Sequence, residues 1–306
     1  MAVVQVAHTP PGGAEPSGSP APRRRRGGVA PYLLLLPGML WLLVFFALPI
    51  FSLFGTSLQT KVPGTVNQFT QTFRFANYPD YAGEYAVQFG RSFLYAGIAT
   101  VLALLISYPL AYLIAFRAGR WRNLLLVLVV APFFASFILR TLAWKQILGD
   151  DGFIVHSLKT LHILGQTDSL TSTPLAVIAG ITYNFLPFMT LPLYSSLERI
   201  DPRLHEAGQD LYGNGLSVLW HVTIPLSMPG VVAGTLLTFI PAAGDYVNAA
   251  LLGRQPGTQM LGNVIEARFF GLVDYPAAAT LSFILMGTIL TLVVLYVRRA
   301  GTEELV

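Results

Sequence analysis

The sequence predicts an all-α transmembrane protein of six spans, and three observations predict it. Of its 306 residues 54% are hydrophobic and only 11% charged, whereas a soluble globule carries about a quarter charged residues to cover its surface. Six stretches are apolar for the roughly 20 helical residues that a hydrocarbon core about 30 Å thick requires. The arginines gather beside alternate connections, so that with six spans all their clusters fall on one side.

Residues 1–30 are rich in Pro, Gly, Ala and Ser, end near the run Arg23 to Arg26 and show no apolar period, which predicts a disordered tail. The apolar run beginning at Tyr32 is too long for the h-region of a secretory signal and lacks a cleavage site, so it is expected to remain as a first span. The six spans are placed at about 32–57, 92–116, 124–147, 174–197, 229–252 and 277–297, forming one domain over 31–299 before a short tail at 300–306. Pro37, Pro49, Pro109, Pro132, Pro187, Pro192 and Pro241 fall inside them; membrane helices tolerate proline where neighbours satisfy the freed carbonyls, so kinks are expected. Arg117, Arg120 and Arg122 crowd the second connection, and Arg298 and Arg299 come after the last span. The positive-inside rule then places both termini in the cytoplasm, together with the connection between spans four and five.

That connection is unlike the rest. Leu204, Ala207, Gly208 and Leu211 recur at helical spacing opposite Glu206, Gln209 and Asp210, which predicts a short amphipathic helix. Tyr212-Gly213-Asn214-Gly215 breaks it. Leu216, Leu219 and Trp220 mark a second apolar face, and Pro225 and Pro229 stop this element and start the next span. A helix lying on lipid favours a basic polar face, whereas this one offers Glu206 and Asp210 with no Lys or Arg after Arg203. Protein groove and lipid surface both stay open, the acidic face favouring the groove.

The stretch resembles the EAA loop of ABC-importer permeases, with Glu206, Ala207, Asp210, Leu211, Val222, Ile224 and Pro225 at matching positions. Gly208 stands at the third position of the motif, and Tyr212-Gly213 replaces the usual Gly-Ala pair. SFILRTLAWKQILGDDGFI (136–154), YNFLPFMTLPLY (183–194), GDYVNAALLG (244–253) and QMLGNVI (259–265) resemble signatures of the spermidine/putrescine subfamily. The resemblance implies a six-helix type I importer permease at the bacterial inner membrane, with a two-helix coupling loop at about 200–225. It implies as partners a cytoplasmic ATPase dimer, a second homologous permease subunit and an external solute-binding protein, with polyamines as cargo. Opine-like amino acid derivatives or ferric ligands are the alternatives. Within the loop it implies that Glu206 and Asp210 face the ATPase, that Glu206 anchors the contact, that Ala207 and Gly208 permit close approach and that Gly213 sets the bend. No Gly-x4-Gly-Lys-Ser/Thr loop occurs, so no cofactor is expected in this chain: ATP and Mg belong to the partner ATPase.

The substrate path rests on different residues. Asp245 lies inside an apolar span, where a carboxylate costs roughly 2.5–3.5 kcal/mol on insertion scales and therefore faces a cavity or a partner. At 1.5 Å per residue it stands roughly 24 Å from the inner start of its span, at a height similar to Arg140 in span three. A structural ion pair with Arg140 and an ammonium-binding role both fit. Trp144, Tyr183 and Tyr246 offer aromatic faces to a cation and its methylene chain, although Trp144, one turn from Arg140, can equally pack on it. Asn184 can bond substrate or restore backbone contacts near Pro187.

Other chemistry is thin. No cysteine occurs, which excludes disulfides and Cys-ligated metal. The five histidines lack metal-site spacing, and the formal charge of +4 reads as topology rather than nucleic-acid binding. A secondary transporter would require an internal inverted repeat, which the halves do not show. A membrane enzyme would require clustered polar groups beyond Arg140 and Asp245.

Overall fold

The computed structural model describes residues 30–62, 64–65, 68–162, 165, 169–253 and 256–300. The tails expected at 1–30 and 300–306 lie almost wholly outside the described residues. The chain divides into two units, up to Phe51 and from Ser52 onward. The first unit holds α1 (Ala30–Leu42), a π-helical segment (Leu43–Ala47) and the start of α2 (Leu48–Ser57), which ends in the second unit; Trp41 and Phe45 pack with centroids 4.1 Å apart and planes tilted by 32°.

The second unit holds the remaining elements. After α2 come the antiparallel strands β1 (Gln59–Lys61) and β2 (Phe69–Gln71), with Thr60 opposite Thr70, and then α3 (Asn77–Glu84) and α4 (Ala86–Tyr112). The end of α2 is tied down: Asn77 Nδ2 donates to the carbonyls of Ser57 and Gln59, and Thr280 Oγ1 donates to that of Ser57. A π-helical segment (Leu113–Arg117) and a single 3-10 turn (Gly119–Trp121) lead into α5 (Arg122–Val130). Further on lie α6 (Phe137–Ile147), α7 (Phe153–Thr160), α8 (Pro174–Glu198), α9 (Pro202–Tyr212), α10 (Gly215–Val218), α11 (Ile224–Leu226), α12 (Met228–Ala243), α13 (Leu261–Glu266) and α14 (Tyr275–Ala300).

The core is the packing of α4, α8 and α12 on one another. Small residues allow it: a Cβ on Gly230 would lie 2.6 Å from Ser196 Cβ, and one on Gly234 2.8 Å from the Met189 sulfur. Close backbone approach is how helices associate in lipid, where apolar burial supplies little drive. Pro187 and Pro192 sit inside α8 without breaking it. Beside them Ser107 Oγ donates to the Leu186 carbonyl at 3.4 Å and accepts from Thr190 Oγ1 at 2.8 Å, tying α4 to α8.

Among the described residues four helices are long and apolar enough to cross a membrane, and two bent pairs bring the number to six if each pair is one span. One pair covers the expected third span, whereas the other joins Gly215–Leu226, outside the expected spans, to α12. The third bends by 95° between residues 134 and 137, where Pro132 sits in a 3-10 turn (Ala131–Phe134) and Ala135 is extended. The fifth, expected to run to 252, stops at Ala243, is interrupted at Gly244–Tyr246 and resumes into a π-helical segment (Ala249–Gly253).

Candidate functional sites: a two-helix hairpin and a buried polar cluster

The hairpin is built by local capping. Asp201 accepts from the Arg203 amide at 2.9 Å and Pro202 occupies the first turn, so α9 starts there. Gly213, at φ +72, ends it in the left-handed region. Asn214 then accepts from the Ser217 amide at 2.7 Å and starts α10. The chain continues through a π-helical segment (Leu219–Thr223) and α11, then turns by 66° at Ser227 into α12.

Gly208 is buried, and a Cβ there would come within 3.2 Å of both Val218 and Val222. Its close approach is thus to the second arm of its own hairpin. Tyr212 stacks on His221 at 4.8 Å across the two arms. Glu206, Ala207 and Asp210 are exposed, and so are Leu211 at 75%, Leu216 at 67% and Trp220 at 62%. The hairpin is fastened to itself and presents both acids and apolar side chains outward. A cleft of about 550 Å³, lined by Ser195, Ser196, Arg199, Asp201 and Leu204 among others, opens at its base.

The polar cluster forms where α12 breaks off. Asp245, expected in mid-helix, is instead the cap of the next helical segment. Its Oδ1 accepts from the Asn248 amide and its Oδ2 from Asn248 Nδ2, both at 2.8 Å. Asn248 Oδ1 in turn accepts from Asn184 Nδ2 at 3.0 Å and from Thr141 Oγ1 at 3.3 Å, and Asn184 also donates to Thr141 at 3.1 Å. Thr141, Asn184, Asp245 and Asn248 are all buried. Glycines let the elements meet: a Cβ on Gly180 would lie 2.8 Å from Asn248 Oδ1, and one on Gly262 2.7 Å from the Gly244 carbonyl.

The ion pair considered between Asp245 and Arg140 is not formed. Asn248 holds both oxygens of Asp245, while Arg140, 8% exposed, sits between the rings of Phe133 and Phe137 at 5.5 and 5.6 Å. Its Nε is buried without a hydrogen-bond partner, and among the described residues no carboxylate pairs with it. Trp144 packs on Tyr183, centroids 5.3 Å apart, rather than on Arg140. Tyr246 is 48% exposed beside the buried Asp245.

Asn248 and Thr141 were not singled out from the sequence. A signal existed for Asn248: an acid after a glycine and three residues before a side-chain amide is the spacing of a helix cap. Nothing local marks Thr141, whose role depends on the crossing of α6 and α8.

The geometry, a helical bundle with bent spans and a capped two-helix hairpin between the fourth and fifth, has known counterparts. Residues 107–300 match the family described as binding-protein-dependent transport system inner membrane component, and the chain belongs to that family. It is a multi-pass permease subunit of a transport system, with the type I permease fold. The chain is 36% identical over 267 residues to the spermidine/putrescine transport system permease protein PotB of Haemophilus influenzae, covering 84% of this chain and 90% of that one. With PotB of Escherichia coli it shares 35% identity over 254 residues, 82% of this chain and 91% of that one. Its fold matches a chain of a bacterial ABC transporter that imports the polysaccharide alginate, at a TM-score of 0.64 and 17% identity over 89% of this chain and 94% of that one.

Proposed function

We propose that this chain is the permease subunit of an ATP-driven importer of polyamine-like cations, working with a second permease chain, a cytoplasmic ATPase dimer and an external solute-binding protein. The likeness to spermidine/putrescine permeases over most of its length carries this reading. Both termini and the hairpin face the cytoplasm, where the Arg23 to Arg26, Arg117 to Arg122 and Arg298 to Arg299 clusters belong. ATP and Mg are bound by the partner ATPase.

The hairpin is the coupling element. Glu206 and Asp210 meet the ATPase groove, Ala207 lets the backbone approach it, and Leu211, Leu216 and Trp220 fill it. Gly208 and Gly213 hold the two arms together so that ATPase closure moves them as one body into α8 and α12. The substrate path runs past Asp245, Tyr246, Asn184 and the Trp144–Tyr183 pair. A carboxylate offers about four lone-pair positions, of which Asn248 uses two and the Ala249 amide a third. The remainder of Asp245 can receive an ammonium while the aromatic faces take the methylene chain.

The test is reconstitution of the complete complex in vesicles with labelled spermidine and putrescine. ATP-dependent uptake is expected with the wild type, and Glu206→Ala should lower it at least tenfold while the chain still inserts. Absence of polyamine uptake with an active ATPase would sink the substrate assignment; undiminished uptake by Glu206→Ala would sink the coupling role.

A second reading is favoured by Arg140 alone. A buried guanidinium without a carboxylate suits a cargo that brings its own, such as an opine-like amino acid derivative. Competition between such a zwitterion and spermidine for uptake, with loss of only the zwitterion's competition in Arg140→Gln, would favour it.

A further inference from the structure

The turn between α4 and α5 concentrates positive charge that the chain does not neutralise. The π-helical segment ends at Arg117 and α5 begins at Arg122, so four residues, three of them in the 3-10 turn, reverse the chain, with Gly119 at φ +47. Arg122 is committed: it is ion-paired with Glu198, and its guanidinium lies 5.2 Å from the Tyr194 ring centre. Arg117 and Arg120 are exposed, and among the described residues neither has an ion pair. Between them and α5 stands Trp121, 55% exposed, with the Arg120 guanidinium 5.4 Å from its ring centre.

We propose that Arg117, Arg120 and Trp121 form a binding site for the phosphodiester headgroup of an anionic phospholipid. A turn of four residues between two spanning segments cannot project far, so these side chains stay at headgroup depth, unlike the hairpin at 202–226. Indole settles at that depth with its ring toward the acyl chains and its N–H toward water. Lying over the ring, the Arg120 guanidinium can present its N–H edge to two oxygens of one phosphate. Arg117 adds a second charge from across the turn. Charge and depth together set the ligand class: an anionic headgroup, with zwitterionic phosphatidylcholine discriminated against. The site would hold the cytoplasmic end of span three, the end that Arg122 ties to Glu198, just before the hairpin begins at Pro202. It does not depend on what the permease carries.

The experiment uses the full chain with Trp41, Trp144 and Trp220 changed to Phe, so that Trp121 alone fluoresces, in vesicles containing brominated phosphatidylglycerol or brominated phosphatidylcholine at equal mole fraction. Stronger quenching by the anionic lipid is expected, with the apparent affinity falling about fivefold for each arginine removed in R117Q and R120Q. Equal quenching by both lipids, or a preference that survives R117Q/R120Q, would overturn the proposal. So would abolition of the preference by inorganic phosphate at constant ionic strength, which would mark a site for a free anion. If the three-Phe chain does not fold, native mass spectrometry of the four-tryptophan chain reads the same difference as retained phosphatidylglycerol.

Discussion

Asp245 and Asn248 illustrate how a single residue's neighbours decide what its charge does. A carboxylate in a span reads as a ligand or half of an ion pair; here both its oxygens are engaged by the residue three positions on, and the charge caps a helix. Asn248→Ala leaves the buried Oδ2 of Asp245 without Nδ2 and leaves Asn184 with Thr141 alone, so a loss of roughly 1–3 kcal/mol is expected. The fall in thermal midpoint of the purified chain measures it. Asp245→Asn keeps an oxygen for the Asn248 amide and should cost less than Asp245→Ala, which removes the cap altogether, about 0.5–2 kcal/mol. Equal midpoints for Asp245→Asn and Asp245→Ala would contradict the capping role. Arg140 behaves in the opposite way. Nothing among the described residues neutralises it, so Arg140→Met, which keeps an apolar stem between Phe133 and Phe137, should leave the midpoint unchanged or higher; a marked drop would reveal a counter-charge.

At the scale of elements, the hairpin depends on contacts between its own arms. Gly208→Leu forces Val218 and Val222 away from α9 and should uncouple ATP hydrolysis from transport without stopping insertion; a variant with an unchanged ratio of substrate moved to ATP consumed would count against a rigid hairpin. Gly213→Ala places a Cβ at φ +72, and a cost of about 1 kcal/mol is expected. Much of this was legible from the residues: Gly213 and Asn214 announce a turn, and Pro225 and Pro229 bracket the return to the membrane. The bends in the spans were less so. Pro132 accompanies a 95° bend while Pro187 and Pro192 leave α8 whole. Which proline bends its span is settled by helix packing, which no local pattern states. Asp245 was misplaced for the same reason: the break at Gly244 is accommodated by Gly262 from a segment some twenty residues later.

For the whole molecule the six spans expected from the sequence make a topological prediction that the chain is unusually suited to test, because it contains no cysteine. Single substitutions Arg120→Cys and Asn214→Cys should react with an impermeant maleimide from the same face, and Thr65→Cys, Asp151→Cys and Gly257→Cys from the other. Labelling of Asn214→Cys and Gly257→Cys from one face would mean that α12 and the π-helical segment at Ala249–Gly253 do not complete a crossing. The second arm of the hairpin carries Leu219–Thr223, where the helix is wound in π form, one short helical turn before the bend at Ser227. A π turn houses one residue more than an α turn, and one residue of α-helix is about 100° of rotation and 1.5 Å of rise. The joint therefore stores a residue of slack. If that slack were drawn out, the first arm would swivel about the axis of the second, so that a pull on the hairpin would reach the membrane as a twist.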